Sequence, residues 1–264
     1  MSVTVRSPAT ITFAVWKALF LREAVSRISA SRGGFVWLLL EPVAHMTFIM
    51  LMFTFVRQKV VGGIETPVWI MVGMLAWFMF LRVGSQCTNA VNANHALFTY
   101  RQVKPVDTVL VRAGLEGFML LMIAFVLLFG AYMFGLAIIP ADPLAVLEAF
   151  FGMWLLGLGW GLVTSVATEL VPEFGRVFSM SISPLYFVSG VIFPITRLVP
   201  PPFRDYLLFN PLLHGVEAAR LAFAPHYQAI PELSIAYIYG FAVTCLFLGL
   251  ALHYRFKYKL AAFK

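Results

Sequence analysis

Long apolar segments with almost no charge recur along this chain, and they restrict it to one solvent. Six of them approach the roughly 20 residues needed to cross about 30 Å of hydrocarbon: 35–56, 67–83, 109–134, 144–168, 177–195 and 233–253. Within hydrocarbon every backbone N–H and C=O needs an internal partner, so such segments are read as bundled helices. Composition agrees, because 61% of the residues are hydrophobic and 12% charged, against about 25% charged in an ordinary soluble domain. A water-soluble chain of this length would lack the charge to cover its surface. The predicted class is an all-α integral membrane protein with six transmembrane helices. The second segment is short and the fifth carries Pro184 and Gly190. The stretch after Ile195 leaves a count of seven or eight open.

Lysine and arginine set the expected orientation, since cytoplasmic loops carry the excess. Six spans put both termini on one side with the second and fourth loops. That side holds Arg6, Lys17, Arg22, Arg27, Arg32, Arg82, Arg101, Lys104, Arg112, Arg176, Arg255, Lys257, Lys259 and Lys264. The other side holds only Arg57, Lys59, Arg197, Arg204 and Arg220. Both ends are therefore expected in the cytoplasm. The net charge of +7 is read as a topology signal plus attraction to anionic lipid, with no need of nucleic acid.

Three stretches outside the spans are informative. Residues 1–34 are basic and apolar, with Phe13, Trp16, Phe20, Ala24 and Ile28 on one helical face where Lys17 and Arg27 intrude. They are read as a cytoplasmic interfacial segment with no removable signal peptide, preceding a transmembrane domain at 35–264. The second loop, 84–108, is polar and cytoplasmic. The last loop, 196–232, is rich in proline, and its apolar pieces at 206–213 and 215–224 are too short to span. They suit a re-entrant outer hairpin before the last helix.

Signatures of self-contained chemistry are missing. The sequence has no phosphate-binding loop, HExxH, G-x-S-x-G or paired Cys/His metal spacing. Cys87 and Cys245 are the only cysteines, and the five histidines are scattered. Glu41, followed by Pro42, lies in the first span, where a carboxylate near the bilayer centre costs about 2.5–3.5 kcal/mol. It is read either as facing a translocation path or as a buried acid paired with a basic neighbour. Arg112 and Glu116 are four apart on one helix face and are expected to pair with each other. Gly157 and Gly161, with Gly159 between them, mark a close helix contact.

Three stretches together carry a resemblance to a known family. The first is Leu21-Arg22-Glu23 with Gly34-Phe35-Val36-Trp37-Leu38-Leu39-Leu40-Glu41-Pro42. The second runs from Ser183-Pro184-Leu185-Tyr186 through Gly190 to Phe193-Pro194. The third is Asn210-Pro211-Leu212-Leu213-His214-Gly215-Val216-Glu217-Ala218-Ala219-Arg220. In this order, and over essentially the whole chain, they resemble the membrane subunit of type-2 ABC exporters of the polysaccharide branch, closest to Gram-negative capsule-export permeases.

That resemblance implies a permease, not an enzyme, at work as a homodimer in the bacterial inner membrane on lipid-linked capsular polysaccharide. It implies two copies of a separate cytoplasmic ATPase that bind ATP and Mg, so no cofactor is expected on this chain. Periplasmic or outer-membrane export factors are possible further partners. The second loop would supply the coupling element, through Leu97, Phe98, Tyr100, Arg101 and Lys104 in a helix around 93–103. Path candidates are Glu41, Arg82, Trp77, Tyr186 and Phe193, with Trp69, Phe78 and Trp160 beside them, because sugar rings stack on aromatic faces. Each aromatic is otherwise a lipid contact or interface anchor. Asn210, Pro211, Arg204 and Arg220 would belong to the outer gate, where the arginines, with Arg197, are otherwise solvated loop charges. The rival substrates are O-antigen and teichoic acid. The rivals of other kinds are a membrane-embedded transferase acting on lipid-linked sugar, whose convergent acid/base set is missing, and a proton-coupled carrier, which would carry more intramembrane carboxylates than Glu41, Glu116 and Glu148.

Overall fold

The computed structural model describes residues 7–29, 34–56 and 60–262. Among the cations weighed for orientation, Arg6, Arg32, Arg57, Lys59 and Lys264 lie outside the described residues. The elements run α1 (Pro8–Ser29), α2 (Gly34–Val56), a two-stranded hairpin β1 (Val60–Val61) and β2 (Ile64–Glu65), then α3 (Thr66–Thr88). A 3₁₀ segment (Asn92–Thr99) leads to α4 (Pro105–Met133), α5 (Pro143–Leu170) and α6 (Glu173–Val188). Three short helices follow, α7 (Ile195–Leu198), α8 (Pro201–Leu207) and α9 (Pro211–Phe223), before the last helix, α10 (Ile235–Ala261). The antiparallel hairpin turns at Gly62 and Gly63, whose φ angles of 59° and 92° suit glycine and fit a two-residue turn.

Five of these helices, α2, α3, α4, α5 and α10, are long and apolar enough to cross a membrane. The fifth expected span, 177–195, needs correction. Its helix starts at Glu173 and stops at Val188, after 16 residues, about 24 Å at the α-helical rise. The chain breaks at Ser189-Gly190, where Gly190 has φ 68°. Pro184 is carried inside the helix, so the break belongs to the glycine turn.

Burial is unevenly shared. α3 has 78% of its apolar window buried inside the chain, whereas α2 has 11%. α3 is therefore the core helix and α2 a peripheral one. The approach of α5 to α3 depends on small residues. A Cβ on Gly157 would lie 2.9 Å from the Phe80 carbonyl oxygen, and one on Gly161 would lie 2.3 Å from the Cys87 Cβ. Gly159, between them, serves the opposite side, where a Cβ would come within 2.9 Å of Cys245 on α10. The glycine run thus packs α5 between two helices, as small residues do where backbones must approach closely.

α1 packs along the first turns of α4. Its buried residues include Leu19 and Glu23, whereas Phe13, Trp16 and Ile28 of the expected apolar face are exposed. The reason is electrostatic: the turn carrying Glu23 and Arg27 meets complementary charge on α4, while Trp16 brings only its indole N–H to Asp107 and Phe13 and Ile28 are left exposed.

Candidate functional site

Two polar centres stand out, one at each end of α3. At the end that carries the 3₁₀ segment, α1 and α4 are joined by three steps in register. The Trp16 indole N–H donates to Asp107 Oδ1 at 2.9 Å, Arg112 donates to Glu23 Oε1 at 2.6 Å, and Arg27 donates to Glu116. Arg82 of α3 also reaches Glu116, with Nε 3.5 Å from Oε2. The expected Arg112–Glu116 pair is therefore corrected. Each of the two finds a better-placed partner on α1, and the Glu116 side chain is fully buried between two guanidinium groups. Burial alone would raise the Glu23 pKa, but the hydrogen bond and charge of Arg112, with Asn94 and Arg27, hold it below the ordinary carboxylate value.

The 3₁₀ segment is built onto this network. Asn94 donates to Glu23 Oε1 at 3.2 Å and to the Ala90 carbonyl at 2.8 Å, and it accepts from Arg22. His95 Nε2 lies 3.2 Å from Glu169 Oε1 at the end of α5. Asp107 caps α4 by accepting from the Lys104 backbone N–H at 3.0 Å. The proposed coupling residues are thus carried on a loop tied to α1, α4 and α5. Tyr100 is 66% exposed and Arg101 and Lys104 are exposed, whereas Leu97 and Phe98 are partly buried. Phe98 packs against the core between α3, α4 and α5 and meets the His95 ring edge-on at 5.6 Å. The element is a 3₁₀ segment over Asn92–Thr99 where a helix around 93–103 was expected. Pro105 favours extended backbone at the residue before it, and Lys104 is extended, with φ −101° and ψ 147°.

The second centre joins α9 to α3 and to the turn after α6. Arg220 was expected as a gate-loop charge open to solvent, and this is corrected: it is 0% exposed. Its guanidinium donates to the Gly190 carbonyl at 2.9 Å, the Val191 carbonyl at 2.5 Å, the Trp69 carbonyl at 3.3 Å and Glu217 Oε1 at 3.0 Å. Those acceptors are reason enough for burial, since they satisfy the guanidinium on several sides. The Tyr227 hydroxyl donates to both Glu217 oxygens, at 3.0 and 3.1 Å. Burial pushes the Tyr227 pKa up to about 12, so the phenol keeps that proton. Gly73 makes the room, because a Cβ there would lie 2.2 Å from Arg220 Nη2.

Asn210 stands at the junction of α8 and α9. It caps α9 by accepting from the Leu212 N–H at 3.1 Å, with Pro211 as the first helical residue, and donates to Ser189 Oγ at 2.9 Å. Arg204 on α8 is partly buried, and the Arg197 side chain lies outside the described residues.

The path candidates do not form one site within the single chain. Trp77 is buried in the core, with Tyr186 against it at 5.4 Å between ring centroids, and Trp69 is fully buried under Arg220. Phe193 stacks on Phe187 at 6.1 Å and meets Phe53 edge-on at 6.3 Å. Phe78 and Trp160 are partly buried, Arg82 belongs to the Glu116 network, and Glu41 is exposed on α2. Sequence reading missed Glu23, Arg27, Asn94, Asp107, Glu217 and Tyr227 as members of these centres. The i, i+3 spacing of Glu217 and Arg220 was the available signal for the second.

Polar residues here fasten loops to a helical bundle, and among the described residues no group of three or more His, Cys, Asp or Glu side chains is placed to hold a metal ion. This is the architecture of a multi-pass membrane protein. The ABC-2 type transporter family model matches residues 14–224. The chain is 34% identical over 237 residues to the polysialic acid transport protein KpsM of Escherichia coli, covering 90% of this chain and 91% of that one. It is 30% identical over 241 residues to the capsule polysaccharide export inner-membrane protein CtrC of Neisseria meningitidis, covering 91% and 90%. It is 26% identical over 256 residues to the capsule polysaccharide export inner-membrane protein BexB of Haemophilus influenzae, covering 96% and 95%. The chain belongs to the ABC-2 type transporter family. It is a membrane subunit for transport, not an enzyme, and membership implies an ATPase partner.

Proposed function

We propose that this chain is the permease subunit of an ATP-driven exporter that carries lipid-linked capsular polysaccharide across the inner membrane. The observation that carries the reading is the 34% identity to a polysialic acid transport protein over nine-tenths of both chains. In this reading α6 completes a set of six spans, both termini are cytoplasmic, and α1 lies at the cytoplasmic interface. The α7–α9 region closes the outer mouth as a re-entrant gate.

Two copies of the chain enclose the path. The shallow burial of α2, 11% against 78% for α3, favours α2 as a surface for a second copy, bringing Glu41 toward the path. ATP and Mg bind the partner ATPase, which seats on Tyr100, Arg101 and Lys104. The exposure of these residues on a loop anchored to three helices supports that assignment, because a coupling element must transmit force without deforming. The test is affinity purification of the tagged chain from its native host. A cytoplasmic ATPase of separate sequence should come down with it, and lipid-linked capsular glycan should stimulate hydrolysis. No ATPase in the complex, or stimulation by O-antigen or teichoic acid intermediates instead, would overturn the reading.

A further inference from the structure

A cavity of about 560 Å³ lies between the coupling loop and the end of α10. Its lining divides by chemistry. Phe98, Val106 and Leu250 supply apolar wall, and Arg101, Lys104 and Lys257 supply cations, with no carboxylate among the lining residues. None of the three cations has a carboxylate within ion-pair distance among the described residues. The Lys257 ammonium lies 4.8 and 5.0 Å from the ring centroids of Tyr254 and Tyr258, two exposed tyrosines one turn apart.

A second observation concerns His253, which lines the same cavity and is 5% exposed. Its Nε2 is 3.0 Å from Ser165 Oγ, while its Nδ1 has no hydrogen-bond partner among the described residues. Unpartnered buried polar atoms are uncommon in folded proteins. Ser165 Oγ already donates its proton to the Leu162 carbonyl at 3.0 Å, so Nε2–H donates to Ser165 and Nδ1 is left as an unused acceptor.

We propose that this cavity binds the headgroup of an anionic phospholipid of the surrounding membrane. The cations and tyrosine hydroxyls meet the phosphate, and the apolar wall meets the first carbons of the acyl chains. Three unpaired cations beside apolar surface match an amphiphilic anion, and basic residues next to a spanning helix are drawn to anionic lipid. Aromatic residues at a helix end suit the same depth. The site is independent of what the transporter exports. It would place a lipid directly against the loop that receives the ATPase, so membrane composition would act on the coupling element.

The test is native mass spectrometry of the intact chain released from detergent with added phosphatidylglycerol or with phosphatidylcholine of the same acyl chains. The chain should retain phosphatidylglycerol preferentially. The combined R101Q, K104Q and K257Q variant should weaken that retention by about tenfold or more, leaving phosphatidylcholine unaffected. L250W, which fills the apolar wall without changing charge, should lower phosphatidylglycerol retention in a chain with all its cations. Equal retention of the two lipids, or retention indifferent to both variants, would overturn the proposal. Displacement of the lipid by millimolar inorganic phosphate would instead indicate a free-phosphate site.

Discussion

Arg220 and Trp69 are 151 positions apart, yet the guanidinium carbon of one lies 3.5 Å from the ring centroid of the other. Both side chains are fully buried. The contact is more than a cation over a ring, since the same guanidinium also holds the Trp69 carbonyl and two carbonyls of the turn after α6. One side chain thus ties α9 to two other backbone segments, α3 and the turn after α6. Movement of α9 has to carry the 189–191 turn with it or break these bonds.

Arg220→Ala should therefore be strongly destabilising, by about 3–5 kcal/mol, because it strands Glu217 and three buried carbonyl groups. Arg220→Lys should recover less than half of that loss, since an ammonium lacks the planar fork that reaches these acceptors together. Gly73→Ala should act on the same contact, and its cost should not add to that of Arg220→Ala in a double-mutant cycle. Thermal melts of the detergent-solubilised chain would measure all three. A lysine variant as stable as the parent would show that charge alone suffices.

The glycine run of α5 makes a separable prediction. Gly161→Ala would drive a Cβ to 2.3 Å from Cys87, and overpacking of this kind costs about 1–3 kcal/mol. Gly130→Ala on α4 is the control, because nothing lies within 4 Å of its Cβ position and alanine favours the helix. Its melting temperature should be unchanged or raised. Equal effects at the two sites would mean that the α3–α5 contact does not depend on close approach.

Much of the architecture was legible because hydrocarbon imposes simple demands. Apolar length located the five long helices, and Gly157, Gly159 and Gly161 marked a close contact. Partner choice was not legible. Arg112 and Glu116 satisfy the i, i+4 rule, but that rule describes an isolated helix, and α1 brings Glu23 and Arg27 into competition. Arg220 looked like a loop charge because no sequence pattern announces the three backbone carbonyls that receive it. Those acceptors exist only after α3, the 189–191 turn and α9 have met. α6 ended early for a related reason: hydropathy continues through Val191 and Ile192, while the backbone turns at Gly190.

The α1–α4 network should respond to acid. The Glu23 pKa is lowered in the folded chain, so its stabilising contribution is complete above the ordinary carboxylate range. It is lost as pH falls through the lowered folded value. The parent should lose stability on acidification relative to Glu23→Gln, and the gap between them should be widest near neutral pH and close at low pH. Parallel melting-temperature curves for the two proteins would show that Glu23 carries none of the dependence.

On the loop proposed to seat the ATPase, the structure separates two residues that the sequence had treated alike. Phe98 packs into the protomer, so Phe98→Asp should lower abundance and obscure any effect on the ATPase. Tyr100 is 66% exposed, so Tyr100→Asp should leave abundance normal while weakening ATPase co-purification and export. A Tyr100→Asp protein that binds its ATPase as well as the parent would move the contact elsewhere on the loop.

Glu41 is the charge whose position is hardest to explain by packing. It is exposed on the least buried long helix, and among the described residues no ion pair engages it. A carboxylate within an apolar span costs about 2.5–3.5 kcal/mol near the bilayer centre and less toward its edge. Removing its charge should therefore make insertion no worse. Glu41→Gln should match or exceed the parent in membrane abundance while exporting less polymer, because the group is held where protomer stability does not require it. Abundance is read by quantitative immunoblot of membranes, and export by surface glycan. If both equal the parent, Glu41 has no part in transport, and if abundance falls, the carboxylate supports the fold through a contact that forms only in the assembled transporter.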